Sequence, residues 1–327
     1  MSIIIPVYNR PAELKELLQS LEDQSEKNFD VIVVDDGSEQ KSKIVVTKYL
    51  TQLNVHYFYK ENSGPGESRN FGCEHSDASF FVFFDSDCII PPDYIENLKK
   101  VVHGLQAFGG PDREHPSFSP IQKAISYSMT SFFTTGGIRG HKKSMEKFHP
   151  RSFNMGYSRE VYEKTGGFSK LRFGEDIDLS IRIVEYGFKT KLIQECFVYH
   201  KRRTDFSKFF KQVFNSGIAR INLYKRHPAS LKLVHFSPAA FVVYQFLSIP
   251  HALYHRDFWV IWPTIIYLVL ILFDASIRSK NPWIGVLSVW ASFVQLIGYG
   301  LGFIKGFVKR IILKKSEFHA FDKTFYD

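Results

Sequence analysis

Two carboxylates, Asp85 and Asp87, stand one residue apart directly after the aromatic run 80–84. A continuous apolar run of that kind predicts a fully buried strand. In open α/β sheets, ligands bind just beyond the carboxyl ends of the strands. Two acids placed there repel one another unless a cation lies near them. Hard oxygen ligands on a loop favour Mg2+ or Mn2+, shared with substrate phosphates. The alternative is a solvated turn, where Asp and Ser are common. A second acidic pair, Glu175-Asp176, follows Gly174 and leads into Leu179, Ile183 and Val184 at helical spacing. An anion at a helix N-terminus is favoured by the dipole, so this pair reads either as helix capping or as chemistry.

The elements that position these acids alternate between strand and helix. The run 2–7 ends at Tyr8-Asn9-Arg10-Pro11, and Asn followed by Pro in a first turn is a helix-start signal. Leu14, Leu17, Leu18 and Leu21 then keep helical spacing. The run 31–34 ends in Asp35-Asp36-Gly37-Ser38, and 55–59 leads into Asn62-Ser63-Gly64-Pro65-Gly66. A short helix around 69–73 precedes the strand at 80–84. Such alternation predicts a mostly parallel sheet covered on both faces, with the polar strand ends converging on one rim. The middle of the chain is less regular. Its Gly136-Gly137-Ile138-Arg139-Gly140 segment reads as an acceptor-side lid, with Arg139 placed to meet a phosphate.

The end of the chain changes character. Segments 237–254, 258–273 and 283–304 hold no Asp, Glu, Lys or Arg, and their lengths approach one bilayer crossing. Tyr254, Trp259, Trp262 and Trp283 lie near segment ends, as interface anchors do. The chain carries a formal net charge of +9, and its basic residues flank these segments, which points to a membrane surface. No Arg-rich helix or zinc-finger spacing points to nucleic acid. The 3 cysteines are far apart, as expected of a reduced compartment without a disulfide framework. Three full crossings would put the basic tail on the far side, against the positive-inside tendency. Two crossings, with the Gly-rich third segment interfacial or re-entrant, keep the basic clusters together.

Ser2-Ile3-Ile4-Ile5-Pro6-Val7-Tyr8-Asn9-Arg10, Val33-Val34-Asp35-Asp36-Gly37-Ser38, Asp85-Ser86-Asp87 and Gly174-Glu175-Asp176 occur in an order and spacing that resembles family 2 glycosyltransferases. The resemblance implies a GT-A fold, a Rossmann-like α/β sheet, and inverting transfer from a nucleotide-diphosphate sugar. Residue by residue, it implies that Asp36 bonds the nucleobase with Pro6 and Tyr8 nearby, and that Arg69 reaches the nucleotide or its phosphates. Asp85 is then near ribose or metal, Asp87 is the main ligand of a divalent metal (Mg2+ or Mn2+), and Asp176 is the general base with Glu175 beside it. His200 matches a C-terminal His that touches metal or diphosphate, although a strand-end His is as readily structural. Arg202 and Arg203 either neutralise the diphosphate or face anionic lipid headgroups.

The expected organisation is a catalytic domain over 1–220, a juxtamembrane linker over 221–236, a membrane region of two or three helices over 237–308, and a basic tail over 309–327. The expected setting is the inner (cytoplasmic) membrane, multi-pass, with the catalytic domain facing the cytosol. The expected partners are the donor, a lipid-linked glycan acceptor and membrane lipids. No Gln-x-x-Arg-Trp sequence is present, which disfavours a processive polysaccharide synthase. A non-catalytic sugar-nucleotide-binding membrane protein would not need a base at Asp176. A nucleotidyltransferase would carry a basic Gly-rich loop where Tyr8-Asn9-Arg10-Pro11 stands.

Overall fold

The computed structural model describes residues 1–135 and 148–316, so the 136–140 segment and the end of the tail lie outside the described residues. The chain divides into two compact units. Within the described residues the first comprises 1–115 and 148–200, and the second comprises 116–135 and 201–316.

The first unit begins β1 (Ser2–Val7), α1 (Pro11–Glu22), β2 (Asp30–Asp36), α2 (Lys43–Val46), β3 (Asn54–Lys60), α3 (Pro65–Glu74) and β4 (Phe80–Phe84). It continues with β5 (Cys88–Ile89), α4 (Tyr94–Val102), β6 (Ala107–Gly109) and β7 (Asp112–Arg113). The chain then enters α5 (Pro120–Thr130) and α6 (Phe132–Thr135) of the second unit. It returns with β8 (Asn154–Ser158), α7 (Arg159–Thr165), α8 (Glu175–Glu185), β9 (Thr190–Leu192) and β10 (Val198–His200).

Among the described residues the main sheet has the order β3-β2-β1-β4-β8-β6-β9, and a smaller one has the order β5-β10-β7. β3, β2, β1 and β4 run parallel, whereas β8 is antiparallel to β4 and β6. The strands alternate their side chains between two cores, as a pleated sheet buried on both faces requires. Ile3, Ile5, Val31, Val33, Val82 and Phe84 pack with Leu14, Leu17, Leu18 and Leu21 of α1. Ile4, Ile32, Val34, Phe81 and Phe83 pack with Cys73, Val161, Leu179 and Ile183 on the other face. The helix expected around 69–73 starts earlier, at Pro65, because Gly64 at φ 96° turns the chain into it. Gly72 brings α3 down on β1, since a Cβ there would lie 2.4 Å from Ile4 Cγ2.

Asn9 does not cap α1. It takes a left-handed conformation at φ 51°, which Asn tolerates better than most residues. Its N–H donates to Ser38 Oγ at 2.8 Å, and its Oδ1 accepts from Gln40 N at 3.1 Å. Arg10 takes the cap position without a side-chain cap.

The second unit contains α9 (Phe206–Arg226), α10 (Ser237–His255), α11 (Trp262–Ser279) and α12 (Pro282–Phe307). Three helical stretches, Leu233–His255, Phe258–Ser279 and Pro282–Ile312, are long and apolar enough to cross a membrane. They are not equivalent: 44% of the most apolar window of the third is buried, against 11% and 17% for the others. α12 runs parallel to α9 along a seam of small residues. A Cβ on Gly302 would lie 2.0 Å from Phe214 O, and one on Gly217 2.2 Å from Tyr299 O. Gly298 faces Val213, Gly306 faces Ile218 and Ile221, and Arg310 Nε donates to Asn222 Oδ1 at 3.0 Å.

Candidate active site at the strand ends

Because β1, β2 and β4 are parallel, their carboxyl ends share one edge. Antiparallel β8 enters from that same edge, with Asn154 opposite Phe84. The topology therefore brings Tyr8 to Arg10, Asp36, Asp85 to Asp87 and the residues just before β8 to one rim. The α8 N-terminus joins them, and β10 pairs His200 with Cys88.

Asp87 anchors one end of the site. Its Oδ2 accepts from Arg10 Nη1 at 2.7 Å, and His200 Nε2 lies 3.2 Å from its Oδ1. Asp87 Oδ, Cys88 Sγ and His200 offer ligand atoms within 4.8 Å of one another. His200 Nδ1 is buried with no hydrogen-bond partner among the described residues, and the ring stacks on Phe153 at 4.8 Å. A carboxylate, an imidazole and a neighbouring acid form a donor set that fits a divalent cation. Burial pushes the Cys88 thiol well up.

Arg69 joins this end to the other. Its side chain is 3% exposed, with Nη2 2.5 Å from Asp85 Oδ1 and Nη1 3.4 Å from Glu175 Oε1. The guanidinium also lies over the Phe168 ring at 5.1 Å. The close approach of α3 to β1 at Gly72 sets this reach, because Arg69 sits one turn before that contact.

Glu175 and Asp176 open α8 behind Gly174, which is left-handed at φ 87°. Burial and then the adjacent Asp176 carboxylate push the Glu175 carboxyl up to about 7, against the pull of Arg69. Burial alone would raise Asp176 as well. Arg151 outweighs it, with Nε 2.6 Å from Oδ2, and holds Asp176 below the ordinary carboxylate value. The two acids are thus driven apart, which is how neighbouring carboxylates acquire different roles.

Asp36 is differently placed. Its side chain is 1% exposed, and its carboxylate accepts from Lys60 Nζ at 2.5 Å, Ser63 N at 3.0 Å, Gly64 N at 2.8 Å and Asn62 Nδ2 at 3.3 Å. It holds the loop between β3 and α3. Pro6 is buried within β1, and Tyr8 lies half-buried on the turn that follows. Arg202 and Arg203 follow β10 in the second unit, where the Arg202 carbonyl accepts from Gln122 Nε2 at 3.0 Å.

Sequence reasoning missed Arg10, Lys60 and Arg151 as members of this cluster. Arg10 carried a signal, as a cation on a strand-end turn facing an acidic rim. Arg151 carried none, because only the antiparallel return of β8 brings it to Asp176.

The family model described as glycosyl transferase family 2 matches residues 2–166. An uncharacterized glycosyltransferase of Haemophilus influenzae is 30% identical over 220 residues, which are 63% of this chain and 71% of the relative. Glycosyltransferase AglE of Haloferax volcanii is 25% identical over 76% of this chain and 82% of its own length. An uncharacterized glycosyltransferase of Rickettsia felis is 32% identical over 42% of this chain, and the match spans 23% of that longer protein. In fold, the chain is similar to a mannosyltransferase of Pyrobaculum calidifontis solved with GDP-Man and Mn2+. That likeness has a TM-score of 0.58 at 16% identity and covers 93% of this chain and 86% of the other. The shared architecture is the GT-A fold, a mostly parallel central sheet with helices. With a matching family model over half its length and a relative similar across most of both chains, the chain belongs to glycosyl transferase family 2.

Proposed function

We propose that the protein transfers a sugar, with inversion, from a nucleoside-diphosphate sugar to a hydroxyl of a lipid-linked acceptor at a membrane surface, in assembly of a surface glycan or glycolipid. One observation carries the reading: a single buried guanidinium, Arg69, bridges Asp85 beside the cation-binding end to Glu175 beside the candidate base. Leaving-group and nucleophile chemistry thus sit at two ends of one site. Asp87, Asp85 and His200 are the residues for a divalent metal, which when bound supplies Lewis-acid stabilisation of the leaving diphosphate. Pro6, Tyr8 and the loop that Asp36 holds accommodate the nucleoside. Arg69 gives fixed positive charge near the phosphates, and Arg202 and Arg203 are further cations for the diphosphate or for lipid headgroups.

In the transfer, the acceptor oxygen bonds to the anomeric carbon as the bond from that carbon to the diphosphate oxygen breaks. The hydroxyl proton passes to a carboxylate, because a neutral hydroxyl is a poor nucleophile. Asp176 takes that role once Arg151, whose side chain is 35% exposed, swings clear. Release of Arg151 raises the proton affinity of Asp176 at the moment it is needed. Glu175, buried and shifted to about 7, stands beside it as a second proton-holding group.

In this reading 1–220 is the catalytic domain, facing the cytosol at the inner membrane, and α10 and α11 cross the bilayer. α12 does not cross fully. Its second half lies along α9, which carries Lys208, Lys211, Arg220, Lys225 and Arg226, and such a helix belongs at the interface rather than in hydrocarbon.

The test is nucleoside-diphosphate release and sugar transfer across a panel of nucleotide sugars, with membrane lipid extract as acceptor and with Mn2+, Mg2+ or EDTA. The expected result is metal-dependent release from one donor. Asp176→Asn should cut turnover by about 10²–10⁴ while donor binding persists. Donor binding without release under every condition would overturn the catalytic reading.

A further inference from the structure

Arg10 stands where a positive charge at Asp87 belongs, and the chain spends several interactions to aim it there. Asn9 adopts a left-handed backbone, φ 51°, that only a few residue types tolerate. Ser38 Oγ and Gln40 N fix that turn from the β2 side. The result carries Arg10 Nη1 to within 2.7 Å of Asp87 Oδ2, between residues 77 apart in sequence. His200 Nε2 lies 3.2 Å from the other oxygen of the same carboxylate. The two ends of the ion pair differ in exposure: the Arg10 side chain is 36% exposed, that of Asp87 11%. Arg69, by contrast, is 3% exposed and locked between two acids.

We propose that Arg10 is a displaceable placeholder cation that competes with a divalent metal for Asp87, so that the free protein holds metal weakly. The proposal rests on Asp87 being a metal ligand, as in the preceding section. The physical case has two parts. A carboxylate without a counter-charge in this acidic, largely buried rim would repel Asp85 and resist desolvation, and Arg10 removes that penalty while no metal is bound. A guanidinium on the ligand oxygen also repels an incoming divalent ion, so metal entry requires Arg10 to leave for solvent. At 36% exposure its departure costs less than that of the buried Arg69 guanidinium would. Metal arriving already chelated by a nucleoside diphosphate is less disfavoured, because the diphosphate's negative charge offsets that of the guanidinium.

Mn2+ alone is the probe, followed by electron paramagnetic resonance of the free ion with detergent-purified full-length protein and no nucleotide. Arg10→Gln should bind Mn2+ up to about fivefold more tightly than wild type, the scale of a partly exposed charge pair. Arg10→Lys, which keeps the charge, should stay within about twofold of wild type, and this separates charge from turn geometry. Asp87→Asn should abolish the gain. Equal or weaker Mn2+ affinity in Arg10→Gln, with wild type binding at Asp87, overturns the placeholder and leaves the metal site standing. Mn2+ binding unaffected by Asp87→Asn, or absent from every protein, overturns both the metal assignment and this inference.

Discussion

Replacing Glu175 by Gln should stabilise the protein at neutral and alkaline pH and have no effect near pH 4.5. The Glu175 side chain is 11% exposed, and burial with the Asp176 charge raises its carboxyl from 4.5 to about 7. A folded-state value above the unfolded one means that the native protein binds the extra proton between those limits. Stability therefore falls as pH rises from 4.5 to about 7 and stays lowered above it. At about 1.4 kcal/mol for each pH unit, the cost at pH 8 is about 3 kcal/mol. Asp176 acts in a separate window. Its lowered value adds stability that is lost only as pH falls below its ordinary 3.8. For a unit of this size, removing about 3 kcal/mol of strain raises the melting temperature by roughly 6–12 °C. That range already includes the opposing pull of Arg69, 3.4 Å from Glu175 Oε1. Thermal melts of wild type and Glu175→Gln in one detergent, from pH 4.5 to 8.5, should converge at the acid end and diverge upward. Parallel curves, or a variant less stable at pH 8, would refute the burial argument.

The seam between α9 and α12 gives a second test. Gly302→Leu places a side chain where even a Cβ meets Phe214 O at 2.0 Å, and overpacking of this kind costs about 1–3 kcal/mol or more. A lowered melting temperature and poorer recovery from membranes are the readouts, and an unchanged melt would show that the helices separate freely. For topology, a Lys315→Cys variant should label with an impermeant maleimide in inside-out vesicles and stay silent in intact cells. Cys73, Cys88 and Cys196 are buried and should not interfere. Labelling from outside would mean that α12 crosses after all.

Much of the catalytic unit was legible because its strands are short, largely apolar runs punctuated by Gly, Pro and Asp. The expected 31–34, 55–59 and 80–84 appear as Asp30–Asp36, Asn54–Lys60 and Phe80–Phe84. The convergence of strand ends followed from parallel order. What pairs with each acid did not. Arg151 reaches Asp176 through a strand that runs against the main sheet direction, and periodicity contains no information about that return. Asn9 read as a cap because Asn-x-Pro is a start signal. Its hydrogen bonds to Ser38 and Gln40 instead select a left-handed turn, and tertiary contacts override the local preference. The third apolar segment meets the length and composition of a span, but nothing in its sequence showed that Gly298, Gly302 and Gly306 lie against α9.

That seam has a consequence for how the chain is made. Asn222 of α9 and Arg310, just past α12, meet although they are 88 residues apart, and between them lie α10 and α11. On the proposed topology, α9 emerges first during synthesis, and its groove stays open while α10 and α11 are delivered to the bilayer. Only when the segment around 298–310 has emerged can α12 lie down along α9 and close the loop. On that topology the last helix works as a latch: it secures the base of a hairpin that has already inserted, and a ribosome that stops near 297 leaves the anchor in the membrane but unfastened.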